Sequence, residues 1–216
     1  GADELAAAKA APAAAPMRLI ACDVVQKRLD NIRPRLARAG VAADPVEARG
    51  TANFALDLLL KGSRSRDAFR IADDRDALGA QLSVGNGLDQ SFVRLGALRS
   101  QLPASLDLMA DVALNPAFPA DMVELQRKQQ LAAIAQQKAN PGAAVQRVLP
   151  SLLYAPGHPY AAPGGGLGNE AAVAALTRES LAQWHQRWFV PGNATLVAAG
   201  DITLPELVQQ LERSFG

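Results

Sequence analysis

Histidine and cysteine are the scarcest chemistry-bearing residues in this chain, and that scarcity narrows the metal and thiol chemistry open to it. Among 216 residues there are one cysteine, Cys22, and two histidines, His158 and His185. A lone cysteine cannot close an internal disulfide, which suits a reducing compartment or a disulfide-free exported protein. Cys22 is expected to be a small buried hydrophobe. Aromatic residues make up 5% of the chain, too few for platforms that stack bases or sugars. Neither sign of charge dominates: 22 Lys and Arg face 21 Asp and Glu, for a net charge of +1, so nothing resembles a nucleic-acid footprint. No stretch approaches the ~18 consecutive apolar residues of a membrane helix. The first residues, Gly1-Ala2-Asp3-Glu4, are acidic where an export signal is basic, so any such signal is expected outside this chain.

What is present suffices for one sizeable core, since 49% of residues are hydrophobic. Residues 1–16 are almost all alanine and proline after Glu4 and read as a linker or a frayed extension. Residues 17–216 read as a single domain. Leu19 to Val25 can begin a strand, and Arg35 to Val41 a strand or a helix end. Ala52 to Leu60 predicts a helix stopped by Lys61-Gly62, and Arg66 to Leu78 a second helix stopped by Gly79. Ala80 to Val84 and Phe92 to Leu98, around Gly85-Asn86-Gly87, predict an antiparallel hairpin. Helices are expected at Leu102 to Leu114, Asp121 to Ala139 and Ala143 to Tyr154. Met122, Leu125, Leu131 and Ile134 are among the apolar positions of the second. A Gly- and Pro-rich loop covers 156–168. Thr177 opens a helix through Trp184 and Trp188, Asn193 to Ala199 reads as a strand, and Leu204 to Phe215 as an amphipathic helix. This order predicts an α+β fold with an antiparallel sheet covered by helices, not a Rossmann alternation.

Few of the chemical candidates survive inspection. The loop Pro163-Gly164-Gly165-Gly166-Leu167-Gly168 lacks a preceding strand and a following Gly-Lys-Ser/Thr, so it reads as a surface loop and not a phosphate cradle. No Gly-x-Ser-x-Gly occurs beside a histidine base. Asp73, Asp74 and Glu124 form no distinctive acid–base pair. His158 lies in a Gly-His-Pro-Tyr turn and His185 between two tryptophans, and both are expected to be structural. The informative stretch is Gly50-Thr51-Ala52-Asn53-Phe54-Ala55-Leu56-Asp57, followed by Lys61-Gly62-Ser63. On a helix, Asn53 and Asp57 share a face at i and i+4, with Leu56 beside them.

In this frame the chain resembles the pitrilysin/insulinase metallopeptidases, which include mitochondrial processing peptidase. That family carries Gly-x-Ala-His-x-x-Glu-His followed by Lys-Gly-Thr, with two zinc-binding histidines and a glutamate base. Gly50, Ala52, Phe54, Leu59, Lys61, Gly62 and Ser63 keep the frame. Asn53 and Asp57 stand at the histidine positions and Leu56 at the glutamate. Leu106 to Phe118, His158-Pro159-Tyr160, Trp184 to Phe189 and Asn193 to Asp201 continue the similarity, which covers about residues 40–216. The resemblance implies a third zinc ligand from a later helix ending near Asn-Pro. Counting back from Asn140-Pro141 places it at Ala132 or Ala133, neither of which binds metal. The nearest upstream acid on that helix, Glu124, is about 12 Å away along the axis.

The resemblance therefore implies a non-catalytic domain of a metallopeptidase half. It would help enclose or bind peptide substrate opposite a metal-bearing catalytic half, on the same polypeptide or a separate subunit, with zinc in that partner and none here. The strand Leu82, Ser83, Val84, Gly85 is the implied edge for peptide addition. A structural or assembly subunit of the same fold is the alternative, and an unrecognised hydrolase a further one. Neither nucleic acid nor a membrane span is expected, and family members of this kind point to the periplasm.

Overall fold

The computed structural model describes residues 18–19, 50–87, 90–155, 158–161 and 166–216. The expected linker at 1–16, Cys22 and the segment Arg35 to Val41 lie outside them. The described residues fall into two compact units, residues 18–19 with Gln186–Asp201, and residues 50–185 with Ile202–Gly216.

The smaller unit holds a two-residue parallel pairing. β1 (Arg18–Leu19) meets β4 (Thr195–Leu196), Arg18 opposite Thr195. The strand expected from Asn193 to Ala199 is shorter than its β-rich sequence suggests. Pro191–Asn193 forms a 3₁₀ turn instead, closed by the Asn193 N–H on the Val190 carbonyl at 2.9 Å, and the Asn193 side-chain Nδ2 donates to the Trp188 carbonyl at 3.1 Å. Strand length follows the partner, and the described partner has two residues.

The larger unit is built around α1 (Thr51–Leu59), whose Phe54, Leu58 and Leu59 are fully buried. α2 (Ala68–Ala77) is capped by the Asp67 carboxylate, which accepts from the Arg70 amide. α2 ends in a Schellman arrangement. Gly79 takes φ 58, its N–H donates to the Asp76 carbonyl, and the Ala80 N–H donates to Arg75. β2 (Gln81–Asn86) and β3 (Ser91–Gly96) pair antiparallel from Gln81↔Gly96 to Asn86↔Ser91. Opposite Gly85 the Phe92 ring lies so close that a Cβ on the glycine would sit 2.6 Å from it, so the absent side chain is filled by the cross-strand aromatic.

A 3₁₀ turn (Arg99–Gln101) leads into α3 (Leu102–Leu114). Ile71, Leu82, Leu108 and Val112 form a buried cluster from α2, β2 and α3, with Val93 and Leu95 of β3 packed against it. α4 (Ala120–Ala139) and α5 (Pro141–Leu153) share Asn140, whose carboxamide oxygen accepts from the Ala143 N–H and starts α5. α6 (Glu170–Ala175) is capped by Asn169, α7 spans Arg178–Trp188, and α8 (Leu204–Phe215) opens with Glu206 accepting from the Thr203 N–H. α8 returns to α3, where Ser214 donates to Asp107 at 2.6 Å. The architecture is α+β and helix-dominated, with a small antiparallel sheet.

The buried face of α4 differs from its expected apolar face. Val123, Gln126, Gln130 and Ile134 are buried, whereas Leu125 is 45% exposed. Two glutamines thus sit where the period of the apolar residues alone does not place the interior.

Candidate functional site

α1 and α4 pack against each other with the frame Asn53, Leu56, Asp57 between them. Asn53 Nδ2 donates to Asp57 Oδ2 at 3.2 Å, along the i, i+4 spacing. Across the helix pair, Gln126 Nε2 donates to the same oxygen at 2.8 Å. Leu56 points inward and is 1% exposed, in place of any proton acceptor. One carboxylate oxygen therefore serves two amides.

Removing Asp57 from water disfavours its charged form, and this burial, against the lowering effect of the Gln126 hydrogen bond and the more distant Lys61, holds its pKa above the ordinary carboxylate value. A raised folded pKa means that the stability this group contributes is fully present below its unfolded pKa of about 3.9 and is lost as pH rises through the folded value. Asp57→Asn keeps an acceptor oxygen for both amides and removes the charge. It is expected to unfold at or above the wild-type midpoint at pH 7 and to lose that advantage below about pH 4, read by thermal melts across pH.

One turn further along α4, Gln130 Nε2 donates to the Gly50 carbonyl at 3.3 Å and to the Leu167 carbonyl at 2.9 Å. Gly50 takes φ 99, and a Cβ there would stand 2.7 Å from the Leu167 oxygen. The start of α1 and the end of the Gly-rich loop thus meet over one buried glutamine, and Arg147 secures the loop further by donating to the Gly168 carbonyl. Gly50→Ala combines left-handed strain with a backbone clash. It is expected to cost roughly 2 kcal/mol or more in denaturant unfolding.

The alanines at the expected third-ligand position separate here. Ala132 is exposed, whereas Ala133 is half-buried and seven residues from Gln126, two turns along the same face of α4. At the far end of α1, Ser63 and Ser65 both donate to Asp111 Oδ2, which also accepts from Arg66 at 2.6 Å. Arg66 reaches Asp74 at 2.8 Å as well, so this knot ties the α1–α2 turn to α3.

The histidines are structural in this geometry. His185 is buried, its Nε2 lies 2.8 Å from the Ala113 carbonyl, and its ring meets Phe118 edge-on. Burial holds its pKa below the ordinary value, against the raising effect of the Ala113 contact. His158 stacks on Tyr154, and its Nδ1 accepts from the Tyr160 N–H. In the hairpin, Leu82 faces the core, Ser83 is exposed, and Val84 and Gly85 are half-buried. β3 covers one edge of β2, and among the described residues no strand pairs with the other. The sequence reading missed Gln126 and Gln130, although their i, i+4 spacing on the helix before Asn140-Pro141 was the signal available.

The family model for insulinase, peptidase family M16, matches residues 37–161, and the model for the peptidase M16 inactive domain matches residues 175–216. The chain belongs to the M16 peptidase family. An uncharacterised zinc protease of Mycobacterium tuberculosis is 32% identical over 167 residues, 77% of this chain and 37% of that protein. A probable mitochondrial-processing peptidase subunit beta of Schizosaccharomyces pombe is 26% identical, over 82% of this chain and 38% of that protein. The crystal structure of a peptidase M16 inactive domain from Pseudomonas fluorescens superposes with a TM-score of 0.74 at 26% identity, covering 82% of this chain and 43% of that one. The chain thus spans well under half the length of these relatives.

Family relatives named zinc proteases raise the question of zinc on α1, and the donor set does not fit it. A carboxamide, an alkyl side chain and one carboxylate already holding two amides replace the residues such a site needs. Among the described residues no three His, Cys, Asp or Glu side chains are grouped to hold a metal.

Proposed function

We propose that this chain is a non-catalytic domain of a zinc metallopeptidase that helps enclose or bind peptide substrate opposite a metal-bearing half. The observation that carries this reading is the polar face of α1, where Asn53, Asp57 and Gln126 bond to one another and Leu56 is buried as an alkyl group. Such a face offers no open metal position and no general base, while the frame around it is that of the family. Peptide binding by strand addition would use the edge of β2 from Leu82 to Gly85. The processing-peptidase relative is named as a subunit, which supports a catalytic partner half, on the same polypeptide or separate. In such an assembly this domain acts through shape and exclusion of water instead of bond chemistry. A periplasmic location belongs to the same proposal and rests on family resemblance.

The test is fluorescence anisotropy of labelled, unstructured peptides with the purified chain. Zinc content and cleavage are measured on the same sample. Binding without zinc and without cleavage supports the reading. Stoichiometric zinc with chelator-sensitive cleavage by the chain alone sinks it. No peptide binding moves the assignment to a structural or assembly subunit.

A further inference from the structure

When metal ligands leave a site that joins two helices, the joint must be held by something else. In this chain the face of α4 that meets α1 carries two buried amides, Gln126 at 8% and Gln130 at 2% exposure, in a contact otherwise lined by Phe54, Leu58 and Ile134. Burying an amide among apolar groups is unfavourable unless it is hydrogen-bonded; the Nε2 group of each glutamine donates, while Gln130 Oε1 is buried without a partner among the described residues. Their partners lie at the two ends of the polar face of α1, Asp57 near its C-terminus and the Gly50 carbonyl at its start.

We propose that the family's metal site has become a metal-free latch here, in which Gln126 and Gln130 of α4 hold α1 in register through Asp57, Asn53 and the Gly50 carbonyl. Amides at these two positions make cross-helix hydrogen bonds that an apolar side chain could not make, so the latch fixes how far α1 can slide or rotate on α4. The loop ending at Gly168 is fixed by the same device, because Gln130 also donates to Leu167. The inference concerns what stabilises the domain and stands independently of peptide binding.

Thermal unfolding of the intact chain tests it, with chelator present so that no stray ion bridges two carboxylates. Gln126→Glu sets a second carboxylate against Asp57 and is expected to lower the midpoint at pH 7 by roughly 5 °C. Adding Asp57→Asn reverses the polarity of the pair and is expected to restore the midpoint to within about 2 °C of wild type. Wild type itself is expected to melt at the same temperature with chelator and with excess zinc. Gln130→Leu, which removes a donor from the Leu167 carbonyl and the cross-helix donor from the Gly50 carbonyl, provides an independent variant with an expected loss of similar size. A double variant no more stable than Gln126→Glu alone would overturn the latch, and so would a wild-type midpoint that rises with stoichiometric zinc.

Discussion

Arg127→Ala is expected to cost roughly 3 kcal/mol of stability, a fall in unfolding midpoint of about 6–12 °C for a chain of this size. The guanidinium lies on α4 and donates to three carbonyls at the C-terminal end of α6: Val173 at 2.6 Å, Ala174 at 3.0 Å and Leu176 at 2.6 Å. These are the carbonyls a helix leaves unpaired at its end, where a cation also meets the negative pole of the helix dipole. α6 has only six residues and cannot persist alone, so its place depends on Arg127 and on the burial of Val173. The same guanidinium stands 5.9 Å from the Phe54 ring centroid, which links α6 to the core of α1. Arg127→Lys keeps the charge but not the fork, and is expected to retain about half the loss-prone stability. Denaturant unfolding measures both variants, with amide exchange of α6 as the local readout. A loss under about 1 kcal/mol for Arg127→Ala would mean that Val173 alone anchors α6.

The elements that could be read from sequence are those whose ends are encoded locally. α3 and α8 run from Leu102 to Leu114 and from Leu204 to Phe215 as expected, because Asn115-Pro116 stops one and Thr203 with Glu206 starts the other. The β2–β3 hairpin was legible from alternation around Gly85-Asn86-Gly87. What could not be read is held by distant partners. β4 pairs among the described residues only with β1, some 175 positions earlier. α6 has no place among the expected helices, and Arg127, 46 residues away, holds its C-terminal end.

The site divides the same way. The loss of histidine and glutamate from the frame at Asn53, Leu56 and Asp57 was visible residue by residue once the resemblance was in hand. The glutamines were not, because a polar residue in a helix reads as solvent-facing until its partner is known. Gln126 and Gln130 found theirs on α1, 69 and 80 positions back in the chain. Of the apolar positions read on this helix Ile134 is buried and Leu125 exposed, and both amides are buried.

Placing metal donors back on this frame gives the largest expected change. Asn53→His with Asp57→His restores two imidazoles at i, i+4 on one helix face, a spacing suited to zinc. The third donor is expected from Gln126→Glu and not from Ala133→Glu, because Gln126 already reaches position 57 across the helix pair at 2.8 Å, whereas Ala133 lies seven residues, about 10 Å, further along α4. Without zinc, the triple variant has lost the Asp57 end of the latch and is expected to melt well below wild type. Zinc then takes over the joint: at a hundred times its dissociation constant it adds about 2.7 kcal/mol, or roughly 5–11 °C, to the folded state. Zinc affinity by isothermal titration is expected to rise about a hundred-fold or more over the parent chain, with a version carrying Ala133→Glu in place of Gln126→Glu at least ten-fold weaker. No peptide cleavage is expected, since Leu56 still supplies no base. A zinc-dependent midpoint in the Ala133→Glu version but not in the Gln126→Glu version would show that α4 presents a later turn to the site. The same two measurements decide whether metal and amides are interchangeable ways of fastening α1 to α4, because only then does stability lost with the latch return with the ion.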